Sequence, residues 1–219
     1  MIKKSDLKSV FGKPGKGYPI FFSAGSTKND KVYGPKSDIL KYPANLCSIC
    51  NNKRTQNHDI AWETLSESLR RQYSPIVPGK VIRLNRIFPF DATARMRDLQ
   101  LYFTKQLGCR IAVESIPIDL APFSKAILRN RIHPNIFLTL GLATWAEGRN
   151  LTGMSEIKGQ LLGKECVAAA FIYHVNELAV TVSYIANITG RIALPNCWHP
   201  AFNRNRIVFN NYLSITGAP

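Results

Sequence analysis

Leu46-Cys47-Ser48-Ile49-Cys50-Asn51-Asn52-Lys53-Arg54-Thr55 is the densest run of reactive side chains in the sequence, and Gln56-Asn57-His58-Asp59 continues it. Its two thiols stand at Cys-x-x-Cys spacing, a loop in which one metal ion can accept both sulfurs, with zinc at about 2.3 Å the usual occupant. A closed structural zinc site needs four ligands, and this is the one close pair among five cysteines. The same pair also reads as merely packed or vestigial. A redox role is disfavoured, because no βαβ pattern surrounds it. Beyond the basic pair, Ile60, Trp62, Leu65 and Leu69 recur near one face and predict a helix from Asp59. Asp59 or Asn57 is placed to cap it. Tyr73-Ser74-Pro75-Ile76-Val77-Pro78-Gly79 ends it and marks the expected domain boundary.

Upstream, Asp6–Phe11 predicts a turn or two of helix closed by Gly12, and Gly15–Phe22 one short strand. Lys28–Lys41 reads as an exposed basic loop. Residues 1–45 alone hold too little apolar surface to fold, so a metal or the following domain should hold them. Downstream, the pattern predicts an α+β domain over residues 76–219 with a largely antiparallel sheet. Lys80–Phe88 alternates like a strand. Asp91 caps a helix that runs to about Leu107, with Gly108 as its stop, and Cys109–Ile118 is strand-like. A short helix opened by Pro122 follows. Strands are expected at Pro134–Leu142, 151–159, 164–175, Leu178–Ile185 and Arg204–Phe209, with a hairpin turn at Asn176-Glu177.

Charge narrows the range of partners. The chain carries 29 Lys+Arg against 14 Asp+Glu, a net of +15. The excess is even: 14 basic to 6 acidic residues over 1–80, and 15 to 8 over 81–219. Such a field suits a polyanion, with nucleic acid favoured over mere solubility. Lys36 and Lys41 extend the basic run through a stretch interleaved with Tyr33 and Tyr42, where cations would track phosphates and rings would stack on bases. No apolar run approaches the ~18 residues of a membrane span, and the N-terminus lacks a signal-peptide core. An odd cysteine number without a disulfide pattern points to a reducing cytoplasm.

The run Leu46 to Thr55 resembles the second half of the HNH endonuclease motif, in which Cys-x-x-Cys is followed at once by His or Asn and then by a basic residue. The resemblance is strong over about fifteen residues and does not reach residues 80–219. It implies a small treble-clef segment over residues 1–75 with a ββα-metal site. Cys47 and Cys50 would be half of a structural zinc site. Asn51 would be the helix ligand of a catalytic Mg²⁺ or Mn²⁺, and Lys53 and Arg54 phosphate contacts. It implies hydrolysis of nucleic-acid phosphodiesters, DNA ahead of RNA. The family's general-base His should precede the cysteines by a few tens of residues, and no histidine stands before His58. The resemblance therefore leaves two expectations, an endonuclease and a basic module that binds nucleic acid without cutting, the latter also compatible with a structural part of a nucleoprotein assembly. His58 and Asp59 are the candidates for a replacement base and ligand, against the plainer expectation that they cap the helix.

The remaining chemistry-bearing residues read as core. Cys109, Cys166 and Cys197 are expected as buried thiols, and His174 as a hydrogen-bonded core histidine in an apolar strand. A Cys/His nucleophile at Asn196-Cys197-Trp198-His199 is disfavoured for want of an orienting third group.

Overall fold

Three side chains one helical turn apart, Trp62, Leu65 and Leu69, are fully buried in the computed structural model, and the helix they belong to anchors the protein. The structure describes residues 2, 4–12, 20–24, 27–32, 37, 40, 49–72, 78–146, 150–187, 196–203 and 205–210. The elements run α1 (Lys4–Phe11), β1 (Ile20–Ala24), β2 (Thr27–Val32), a π-helical turn (Ile49–Arg54), α2 (Gln56–Gln72), β3 (Val81–Arg83) and α3 (Leu84–Ile87). They continue with α4 (Ala92–Val113), α5 (Ala121–Leu128), β4 (Ile136–Leu142), a 3-10 turn (Thr144–Ala146), β5 (Leu151–Met154), β6 (Lys158–Leu162), β7 (Glu165–Val175), β8 (Leu178–Ile185) and β9 (Arg206–Val208).

The class is α+β, as the sequence predicts. A seven-stranded sheet has the order β2-β1-β5-β7-β8-β4, with β6 also paired to β7, while β3 and β9 form a separate antiparallel pair. All pairings are antiparallel except β1 with β5. The β7–β8 hairpin turns at Asn176 and Glu177, with Val175 opposite Leu178 and Asn176 left-handed at φ 51°. Asparagine tolerates that conformation better than most residues, so the predicted turn stands where its chemistry requires. Gly12, at φ 70°, closes α1 by donating its N–H to Lys8 O at 3.0 Å.

Helices α1, α2 and α4 cover the sheet face that carries Phe171 and Tyr173. Trp62 stacks on Tyr102 and meets Phe103 and Tyr173 edge-on, with ring centroids 4.9–5.9 Å apart. Ile172, on the other face, packs with Ala143, Ala146, Leu151 and Ala179.

The boundary expected at residues 75–76 does not divide the core. Leu7, Ile20 and Trp62 share one buried cluster with Phe103, Tyr173 and Ile207, and β1 is hydrogen-bonded to β5. The N-terminal third gains its missing apolar burial by joining the larger sheet. Part of the expected basic loop Lys28–Lys41 is strand β2, and Lys80–Phe88 is a three-residue strand followed by α3. Gly108 does not stop its helix: α4 runs on to Val113, through the first half of the stretch read as strand. A Cβ at Gly108 would lie 3.3 Å from Phe123 Cδ1, so this glycine serves the close approach of α5 rather than a C-cap. Asp91 stands before α4 but makes no side-chain cap.

Candidate nucleic-acid interface

The π-helical turn Ile49–Arg54 leads through Thr55 into α2, so the basic pair is presented by helical backbone. Thr55 Oγ1 donates to Asn51 O at 3.0 Å, the back-bond to the i−4 carbonyl that Thr makes inside helices and that loosens the regular ladder. The ladder resumes with Asp59 N–H on Thr55 O at 3.0 Å. Cys50 and Asn51 are half-buried, while Asn52, Lys53 and Arg54 are exposed. Cys47, Lys36 and Lys41 lie outside the described residues. Among the described residues no group of three or more His, Cys, Asp or Glu side chains converges on a common point. Cys50 and Asn51 are consecutive in this turn, a soft and a hard donor suited to different ions.

His58 and Asp59 do not cap α2. The helix reaches back to Gln56, so both lie inside its first turn, where the Asp59 N–H already bonds Thr55 O. His58 is 2% exposed. Its Nε2 lies 3.3 Å from Asn130 Oδ1, in the loop after α5, and 4.0 Å from Asp98 Oδ1 on α4. Its Nδ1 is buried without a hydrogen-bond partner. Burial pushes the imidazole pKa below its ordinary value, opposed by the Asn130 contact and the Asp98 charge. A general base must reach the proton it takes. Buried His58 reaches Asn130 and Asp98 instead.

Asp59 is held by Lys105, whose Nζ donates to Asp59 Oδ1 at 3.0 Å and to Thr55 Oγ1 at 2.9 Å. One α4 ammonium therefore ties down both ends of the first turn of α2. Asp98 is also matched: Arg97 Nη2 lies 3.2 Å and Arg95 Nη1 4.0 Å from its carboxylate, and both arginines remain 30% exposed. Sequence reading missed Asp98, Lys105 and Asn130, which lie 40 or more residues from His58 in the chain. No local spacing connects them.

A second polar cluster, also missed, is centred on Asp6. The carboxylate is 2% exposed and accepts four hydrogen bonds. Trp62 Nε1 and the Tyr173 hydroxyl donate to Oδ2 at 2.6 and 3.0 Å, and Ser66 Oγ and Arg70 Nη1 to Oδ1 at 2.8 and 3.1 Å. A signal was present: Trp62, Ser66 and Arg70 recur every four residues, a row of donors on one face of α2 that calls for a buried acceptor.

The other histidines are structural. His199 Nδ1 accepts from Ala201 N–H, so its Nε2 carries the proton and donates to His133 O at 3.0 Å. That geometry engages both ring nitrogens within loops. Burial lowers the pKa of His133 and of His174 to about 4, with the neighbouring His199 adding to the effect at His133. Cys166 and Cys197 are buried as expected, whereas Cys109 is half-buried, its thiol pKa raised by desolvation. No helix among the described residues is long and apolar enough to cross a membrane. Comparison with known proteins gives no match: no family model, no curated protein and no solved structure is significantly similar to this chain.

Proposed function

We propose that this protein binds nucleic acid through the knuckle formed by the π-turn and the start of α2, in the manner of an HNH-type module, with Lys53 and Arg54 gripping backbone phosphates. The observation that carries the reading is the exposure of both cations, without acidic partners among the described residues, directly after half-buried Cys50 and Asn51. The order β1–β2–α2 is the ββα order that the resemblance implies. A net charge of +15 supplies the long-range attraction. The engagement of His58 and Asp59 in contacts within the fold favours binding over cleavage by these two residues.

Cys47 and Cys50 are the residues that would hold zinc, and Asn51 the one that would hold Mg²⁺ or Mn²⁺, an ion that polarises a phosphoryl oxygen when bound. The described donors do not complete a four-ligand zinc site, so its remaining ligands would come from outside them. The reduced thiols this requires suit the cytoplasm.

The test is titration of labelled duplex DNA, with RNA in parallel, over a salt series. The wild type should weaken steeply between 50 and 200 mM salt. Lys53→Ala/Arg54→Ala should lower the slope of log K against log salt by about 2, at roughly 0.9 per lost phosphate contact. Its unfolding free energy should stay within about 0.5 kcal/mol of the wild type. A wild type that does not bind, or a double variant with an unaltered slope, defeats the proposal. Incubating plasmid DNA with Mg²⁺ or Mn²⁺ separates the second reading: cleavage abolished by Asn51→Ala would establish an endonuclease.

A further inference from the structure

The loop between α5 and β4 is clamped at two points, and its exposed cations lie beside the first clamp. Helix α5 ends in a 6→1 closure, with Arg131 N–H on Ala126 O at 2.9 Å and Asn130 left-handed at φ 50°. Because its backbone geometry is fixed by that closure, the Asn130 carboxamide is directed to His58 at 3.3 Å. Three residues on, Gln100 of α4 holds His133 from both sides: its Oε1 accepts the His133 N–H at 2.9 Å and its Nε2 donates to His133 O at 2.9 Å. Arg129 and Arg131 flank Asn130, are exposed, and have no acidic partner among the described residues.

The first clamp fixes this loop relative to the knuckle. Arg54 stands four residues before His58, about 6 Å along a helix axis. Asp98, 4.0 Å from the same imidazole, brings Arg95 and Arg97 of α4 to the same place. Exposed Lys53, Arg54, Arg129 and Arg131, together with Arg95 and Arg97 that pair with Asp98, thus belong to the three elements that meet at one buried histidine. The acids packed among them, Asp59 and Asp98, are already matched by Lys105, Arg95 and Arg97. Exposed like charges on adjoining elements repel one another, and an external polyanion relieves that repulsion.

We propose that the α5–β4 loop is a second phosphate-gripping segment of the same surface, with Arg129 and Arg131 as its contacts and Asn130 as the residue that positions them through His58. The inference rests on the nucleic-acid reading above and deepens it: the footprint is a backbone path across three elements rather than a single knuckle. A loop held at Asn130 and His133 loses little freedom on binding, so its cations act at low entropic cost.

The test uses the full chain and a duplex DNA probe. Arg129→Ala/Arg131→Ala should lower the salt slope by about 2 and weaken binding several tens of fold near 0.1 M salt, with unfolding unchanged. Arg129→Glu/Arg131→Glu should weaken it further. Asn130→Gly keeps the left-handed backbone but removes the carboxamide, and should cost several-fold in affinity while the Lys53→Ala/Arg54→Ala effect persists. If the wild type binds and the knuckle variant loses slope while the Arg129/Arg131 variants keep theirs, this inference is overturned and the knuckle reading stands. If the wild type does not bind at all, both fall.

Discussion

Two buried polar clusters flank α2, and they are built on opposite plans. Around Asp6, the contacts converge on one carboxylate: four donors, with the aromatic rings of Trp62 and Tyr173 closing the sides. Arg70, whose Nη2 has no hydrogen-bond partner among the described residues, reaches in from the rim. Around His58, the contacts face a charged exterior: an imidazole with one unpartnered nitrogen, an acid shared with two half-exposed arginines, and a loop that carries two exposed cations. The first cluster joins α1, α2 and β7 and satisfies every atom of its acid. The second joins α2, α4 and the α5–β4 loop and leaves positive charge facing solvent. A closed network specifies the fold, whereas an open one, at the same depth in the protein, is available for recognition.

The contrast predicts unequal responses to mutation. Asp6→Ala should be the most damaging single change, at about 3–5 kcal/mol in urea unfolding, because it strands Arg70 and leaves the indole, hydroxyl and phenol donors without their acceptor. A loss under about 1 kcal/mol would show that water replaces the carboxylate and that the cluster is not closed. DNA affinity measured well below the unfolding midpoint should be unaffected, since no exposed cation depends on Asp6.

Acid should act on the histidines, none of which belongs to the Asp6 cluster. The folded pKa of His58 is depressed, as are those of His133 and His174 at about 4. The unfolded chain therefore takes up protons first, near the ordinary value of about 6.5. Stability from these groups is fully present above pH 6.5 and is lost as pH falls toward about 4. For His133 or His174 the linkage is roughly 3 kcal/mol at most. His58→Gln should show a shallower loss over the same window, measured as unfolding midpoint against pH. An identical slope would mean that the His58 cluster admits water and a proton at little cost.

Much of the scaffold was legible because its signals are local. Trp62, Leu65 and Leu69 marked the buried face of α2, although Ile60, read with them, is exposed. Gly12 marked the end of α1 and Asn176 the β7–β8 turn, each through spacing or backbone chemistry contained in a few residues. The candidate site was legible only in part. Lys53 and Arg54, read as phosphate contacts, are exposed. His58 and Asp59 were read either as a replacement base and ligand or as caps, and neither reading anticipated their contacts within the fold. Their partners Asn130, Asp98 and Lys105 come from distant elements, and a π-turn shifted the helix start past them. Asp6 was passed over for the same reason, as an acid in a polar, Lys- and Ser-rich opening whose four acceptor contacts are all made through the tertiary fold.

Gly108 was misread as a terminator, and it supplies the finest test of how the His58 cluster is held. Substituting alanine inside α4 favours the helix by about 1 kcal/mol. Against this, the new Cβ would stand 3.3 Å from Phe123 Cδ1, tighter than an ordinary contact. Phe123 has little room to yield: it is 2% exposed and lies against His133, with ring centroids 4.5 Å apart. Crowding a packed core costs about 1–3 kcal/mol, so Gly108→Ala should be neutral or destabilising by no more than about 2 kcal/mol. The strain passes along α5 to its C-cap Arg129 and to Asn130 beyond it, so the His58–Asn130 contact should loosen while the Asp6 contacts stay intact. The readouts are faster hydrogen exchange at Arg131 N–H and a DNA affinity lowered by a small factor, without change at the Trp62 indole N–H. Equal acceleration at both sites would mean that the two clusters open as one unit and that the distinction between them is not energetic.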